Sequence, residues 1–191
     1  FYPLIVSILY ICHLTKTNLH ENFKSIFIRG CCLNILILSK DDGPVVIELN
    51  ATNIEGTYEI TLLQSSSRTT STASNGSEVL IETETSVADT FTNAILTFNA
   101  NRTYTTSGSF RVTYTLTVTG QNPETESEIV TLDDEGSYSL DSNNNTISLD
   151  GDIFDVLSFN GTNITLRGED TDNFNGETTV TITEIRLVKQ N

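Results

Sequence analysis

The feature that most constrains this chain is period-two alternation. From Phe110 to Thr119, Phe110, Val112, Tyr114, Leu116 and Val118 share one parity, while Arg111, Thr113, Thr115, Thr117 and Thr119 share the other. Successive side chains of an extended strand point to opposite faces, so this spacing puts five apolar groups against a core and five polar ones toward solvent. Helix signals are weak throughout the sequence that follows Pro44.

The same pattern recurs along the chain. Tyr58, Ile60 and Leu62 alternate with Thr57, Glu59 and Thr61, Ala94, Leu96 and Phe98 alternate with Ile95 and Thr97, and Glu78 to Val87 reads as a strand between them. Further strands are expected around Tyr138 and Leu140, Ile147 and Leu149, Ile153 to Phe159, Ile164 and Leu166, and Glu177 to Lys189. Turns are expected at Asn99-Ala100-Asn101-Arg102, Thr106-Ser107-Gly108-Ser109 and Asp141 to Asn145, where the residues tolerate turn or left-handed backbone. In the last segment Val180 and Ile182 share one parity and Ile185 and Leu187 the other, which predicts a bulge near Thr183-Glu184. The result is an all-β chain of about nine or ten strands joined by hairpins, with no crossover helices. Such an antiparallel meander hides its edges best by closing into a barrel, with a two-sheet β-sandwich as the alternative.

Charge and residue distribution divide the chain. Of ten basic residues only Lys16, Lys24 and Arg29 precede Ser39, and of twenty-five acids only Glu21 does, so the remainder carries 7 basic against 24 acidic residues. An anion of this strength repels phosphate backbones and anionic headgroups, which excludes nucleic acid as a partner and favours a soluble monomer. All three cysteines (Cys12, Cys31, Cys32) and both histidines (His13, His20) also lie in residues 1–38. Phe1 to Leu14 is too short to span a bilayer as a helix. Lys24 followed by the apolar stretch Ser25 to Leu38 has the layout of an export signal, interrupted by Arg29. Residues 1–38 are therefore read as a signal-like leader or a misread 5′ region, 39–52 as a polar tether, and 53–191 as the β domain.

From Ser39 onward there is neither His nor Cys, so a Ser-His-Asp triad, a thiolate nucleophile and a His- or Cys-ligated zinc are all excluded within the domain. A carboxylate pair could still perform acid–base work, but nothing in the spacing singles one out. Asp133-Asp134-Glu135 and Glu169-Asp170-Thr171-Asp172 could offer oxygen ligands to calcium, although exposed acidic turns are the commoner meaning of such runs. The domain is read as non-enzymatic, without cofactor or metal.

Three stretches carry a resemblance. Asn53-Ile54-Glu55-Gly56-Thr57-Tyr58-Glu59-Ile60 resembles the opening of lipocalin-like domains, with Tyr58 where that family's Gly-x-Trp motif has tryptophan. Leu96 to Tyr104 resembles the phenylalanine, turn, tyrosine hairpin of bacterial lipocalin-like lipoproteins, and Gly136 to Leu140 their following strand. The resemblance spans about Asn53 to Lys189. It implies a lipocalin-like barrel on an exported Gram-negative lipoprotein, in the outer membrane or periplasm or at the cell surface. Cys31 is the candidate for lipidation, and the anchor would be the only membrane contact. It further implies a basic residue of the closing strand packed over the first-strand aromatic, with Arg186 the candidate partner of Tyr58.

If the barrel holds a ligand, Tyr58, Phe98, Tyr104, Phe110, Tyr114 and Phe159 would line it and a small apolar molecule would fit, although core packing is the commoner role for such residues. Two functions are carried forward. One is an exported, lipid-anchored, lipocalin-like domain that binds a small apolar ligand. The other is a structural or adhesive surface domain that meets another protein through its loops or an exposed strand edge. A hollow interior favours the first, and a solid interior with an open edge favours the second.

Overall fold

A computed structural model describes residues 47–190. The leader, the candidate lipidation residue Cys31 and the first part of the tether lie outside the described residues. A single helical turn, α1 (Ala51–Ile54), is followed by nine strands: β1 (Gly56–Thr72), β2 (Glu78–Phe98), β3 (Thr103–Val118), β4 (Glu124–Leu132), β5 (Glu135–Asp141), β6 (Thr146–Leu149), β7 (Asp152–Phe159), β8 (Asn163–Phe174) and β9 (Glu177–Lys189).

All pairings among them are antiparallel, and one sheet closes on itself. Sequential neighbours pair from β1 to β3 and from β5 to β9, β3 pairs with β5, and β9 returns to β1. The fold is thus the barrel-like meander that the alternation predicts. β4 and β5 follow one another along β3 in a single register. The pairs Leu116–Glu124 to Gly108–Leu132 continue into Thr105–Glu135 to Thr103–Ser137, and the Thr106 amide donates to the Asp134 carbonyl at 2.8 Å between them.

The wall of this ring is uneven. β1, β2 and β3 have 17, 21 and 16 residues, whereas β5, β6 and β7 have 7, 4 and 8. β6 pairs with β5, so nothing among the described residues stands beside β4 on its far side. β8 likewise pairs with β7 only as far as Gly168 and runs on against β9 alone. Two strand edges therefore border a gap above the low wall.

The lower end is plugged. α1 is capped by the Asn50 side chain, which accepts from the Asn53 amide at 2.9 Å, and it places Ile54 wholly inside. The Ile54 carbonyl accepts from the Tyr58 hydroxyl at 2.8 Å. Tyr58, Phe98 and Tyr138 then pack edge to face, with centroids 5.8 and 5.0 Å apart. This is the geometry in which a ring's positive edge meets its neighbour's negative face.

Three expectations are corrected. The bulge lies on β1 at Thr61, not on β9: β1–β9 pairing shifts between Ile60 and Leu62, which turns Leu63 inward instead of Leu62. β9 keeps one register against β8, with Thr181, Thr183, Ile185 and Leu187 inside and Val180 and Ile182 half-buried on the outer face. Glu78 to Phe98 forms one strand, bent by irregularities between Asp89 and Ile95, where Thr90 and Asn93 adopt left-handed backbone (φ 51° and 47°). Thr106 to Ser109 is no hairpin turn but the middle of β3. Gly108 there (φ 98°) allows the Asn93 carbonyl oxygen to approach to 1.9 Å from where a Cβ would stand. The turns at Asn99–Arg102 and Asp141–Asn145 form where expected.

Candidate functional site: an open strand edge above an acidic groove

The six predicted lining residues belong to the core cluster or pack against it, but Tyr114 also lines the groove of the upper barrel. Tyr58, Phe98, Tyr104 and Phe110 are at most 1 % exposed, and Tyr114 and Phe159 are partly buried against the same core. Their polar ends are already engaged by protein. The Tyr58 hydroxyl donates to Ile54, and burial, with a smaller contribution from Tyr138, pushes its pKa up to about 12. The Tyr104 hydroxyl donates to Asp150 Oδ2 at 2.7 Å, and burial followed by that carboxylate pushes its pKa up strongly. Aromatic rings and their hydrogen bonds thus fill the lower barrel.

The cation over Tyr58 is Lys189, not Arg186. Register places Lys189 opposite Tyr58, with Nζ 5.5 Å from the ring centroid, and Nζ also donates to the Asn53 carbonyl at 3.4 Å. Arg186 has outward parity on the regular β9 and pairs with Glu184 at 2.7 Å. The basic residue on the closing strand is present, three residues further on than the sequence suggested and on the opposite face of the strand.

The upper barrel has a different interior. Along β4, Glu124, Glu126 and Glu128 stand opposite Leu116, Tyr114 and Val112, so they share the inward face of β3. β2 adds Glu84 opposite Leu116 and Glu82 opposite Val118. A groove of about 260 Å³ runs over this face, lined by Glu84, Tyr114, Leu116, Glu124, Glu126 and Glu128 together with Ser127, and its lining contains no basic side chain. The Tyr114 hydroxyl donates to Glu128 at 2.7 Å. Burial and then the neighbouring Glu82 raise the pKa of Glu84, as expected of like charges crowded where water is partly excluded. Arg68, Arg111, Arg167 and Arg186 all lie on the outer face, paired with Glu78, Asp89, Glu169 and Glu184.

Backbone geometry completes the site. In an antiparallel pair, residues alternate between bonding toward one neighbour and toward the other. The Thr106–Asp134 bond puts even-numbered β4 residues in contact with β3, and the Thr119 amide bonded to the Ile81 carbonyl fixes the same alternation from the β2 side. The amides and carbonyls of Thr125, Ser127, Ile129 and Thr131 consequently point out of the sheet. Ile129, 75 % exposed, lies on the outer face of this edge.

A second groove, of about 310 Å³, opens at the low wall and includes Asp152, Phe154, Gly168, Asp170, Thr181 and Thr183 in its lining. Burial, then Asp170 and Asp150, raise the pKa of Asp152. Asp152 and Asp170 lie just beyond the Phe154–Gly168 pair that ends the β7–β8 ladder, and both line this groove. Glu169 to Asp172, read from sequence as a loop, lies within β8. No group of three or more His, Cys, Asp or Glu residues among those described could hold a metal ion.

No protein-family model matches the chain, and no curated protein matches it. Among solved structures it is similar to Ail, the attachment invasion locus protein of Yersinia pestis, alone and in complex with the heparin analogue sucrose octasulfate. Each match has 7 % identity, covers 71 % of this chain and 99 % of the other, and has a TM-score of 0.25. Overlap at that level carries no argument about either fold or function.

Proposed function

We propose that this chain is an exported, non-enzymatic, lipocalin-like barrel that binds another protein through the open edge of β4 and does not carry an apolar molecule in its interior. The observation that carries this reading is the combination of a filled lower barrel with a nine-residue strand that has no neighbour on its far side among the described residues. Natural sheets cover, shorten or close their edges because bare amides and carbonyls recruit other chains. A barrel could close this edge completely by lengthening β6, yet here β6 has four residues. Export is supported by the signal-like Ser25 to Leu38. The lipocalin-like assignment is supported by the meander order and by Lys189 over Tyr58.

Two measurements test the reading together. A photo-crosslinking residue at Ile129, on cells that produce the protein, should trap a discrete protein, whereas one at Ile153 on β7, 66 % exposed, should not. The purified protein should show no saturable uptake of an apolar fluorophore such as N-phenylnaphthylamine. One-to-one uptake, displaced when Tyr104 or Phe110 is changed, would return the interior to the role of carrier and refute the proposal.

A further inference from the structure

We infer that the partner of β4 is an extended segment carrying Lys or Arg at alternate positions, added as a further strand to this edge. The inference rests on the reading above and supplies the chemistry of the partner. A strand added to a sheet edge gains affinity from main-chain hydrogen bonds and specificity from side chains that meet the edge's own at every second residue. The bonds are offered by Thr125, Ser127, Ile129 and Thr131, four evenly spaced positions.

The side chains set the partner's composition. On the inner face each added residue stands beside Glu124, Glu126 or Glu128, with Glu84 behind them. Directly opposed residues of opposite charge stabilise a strand pair, and like charges destabilise it. The arginines of the neighbouring strands are committed to the outer face, so the positive charge must come from the incoming strand. On the outer face the added residues meet Thr125, Ser127, Ile129 and Thr131, a surface that suits Val, Ile or Thr. The other border of the gap, β8 beyond Gly168, is acidic as well, with Glu169, Asp170 and Asp172.

The same charges weigh against two other occupants. A second copy pairing β4 against β4 would set glutamate beside glutamate along the whole contact. The apolar stretch Ser25 to Leu38 of this chain contains one basic residue, Arg29, and cannot supply the alternation.

The test uses the full chain and synthetic nine-residue peptides followed by fluorescence anisotropy. A peptide alternating Lys with Val and Thr should bind at least tenfold more tightly than one of identical composition with its lysines in a block. The double substitution Glu124→Gln and Glu126→Gln should weaken binding at least tenfold and flatten its salt dependence. Ile129→Pro should abolish binding while leaving thermal unfolding nearly unchanged, because the amide it removes points away from β3. Amide exchange gives a readout independent of any variant. Without peptide, Thr125, Ser127, Ile129 and Thr131 should exchange fast while Glu126, Glu128 and Val130 exchange slowly, and the alternating peptide should protect the first set.

Equal binding of the two basic peptides would reduce the groove to unspecific charge attraction and overturn the inference, while a crosslink from Ile129 would still stand. Protection of the first set before any peptide is added would show the edge already occupied and overturn it as well. Peptide binding without a crosslink on cells would sustain the strand-addition chemistry and count against the proposed function alone.

Discussion

Gly136 stands where the Asp150 carboxylate crosses β5, and a Cβ there would lie 2.0 Å from Asp150 Oδ2. That oxygen accepts from the Tyr104 hydroxyl, and Oδ1 accepts from the Ser137 amide at 2.7 Å and the Ser137 hydroxyl at 3.1 Å. Gly136→Ala must therefore push the carboxylate aside and leave the hydroxyl of a wholly buried tyrosine without its acceptor. A buried orphan of this kind costs about 1–3 kcal/mol. Because Asp150 itself is exposed and water can reach the gap, about 1–2 kcal/mol is expected. Tyr104→Phe removes the other half of the same bond and should cost a similar amount. The two losses share one cause, so the double variant should cost little more than either single one, a coupling of about 1–2 kcal/mol.

The assay is urea denaturation of the four proteins at neutral and acid pH. Burial alone would raise the Asp150 pKa, but the hydrogen bonds from Ser137 and Tyr104 outweigh it and hold the group below the ordinary aspartate value. A depressed folded-state pKa contributes stability that is complete above the unfolded value, about 3.9, and is lost as pH falls through the folded value. The cost of Gly136→Ala should accordingly be full at pH 7 and shrink below about pH 4. Additive losses in the double variant, or a Gly136→Ala cost unchanged at low pH, would refute the reasoning.

Two further outcomes follow from the fold. Gly108→Ala combines a positive φ with a Cβ driven into the Asn93 backbone, and should lower stability by more than about 3 kcal/mol in thermal unfolding; a loss under about 1 kcal/mol would show that β2 and β3 do not approach so closely. Lys189→Ala should cost about 0.5–2 kcal/mol through the lost contact with Tyr58, while Arg186→Ala should change stability by less than about 0.5 kcal/mol, and a reversed order would return the cation–π role to Arg186.

What could be read from the sequence follows the chemistry of each strand's inner face. Where apolar residues face inward, as in Phe110 to Val118 or Ala94 to Phe98, alternation announced both the strand and its facing. β4 escaped because its inner residues are Glu124, Glu126 and Glu128, so its period-two pattern alternates carboxylates with hydroxyls and reads as loop. The only available signal was that alternation itself. The predicted bulge in β9 failed for the related reason that Thr181 and Thr183 face inward in the polar upper barrel while Val180 and Ile182 do not. Gly108 reads equally as a turn or as a close approach between strands, and only the opposing irregularity at Asn93 distinguishes them. The candidate site was least legible because it arises from strands ending at different heights, a property of the assembled ring.

The return of β9 onto β1 also governs how such a ring can come into being. Tyr58 pairs with Lys189 and Ser71 with Glu177, so every contact along this seam joins segments more than a hundred residues apart. Closing a loop of that length is a late and entropically costly event, and topologies dominated by distant pairings fold slowly. A chain threaded through a membrane from its amino end would deliver β1 long before β9. Until the last strand arrives, β1 would wait with its seam side unpaired, dependent on whatever shields nascent chains in the compartment where it emerges.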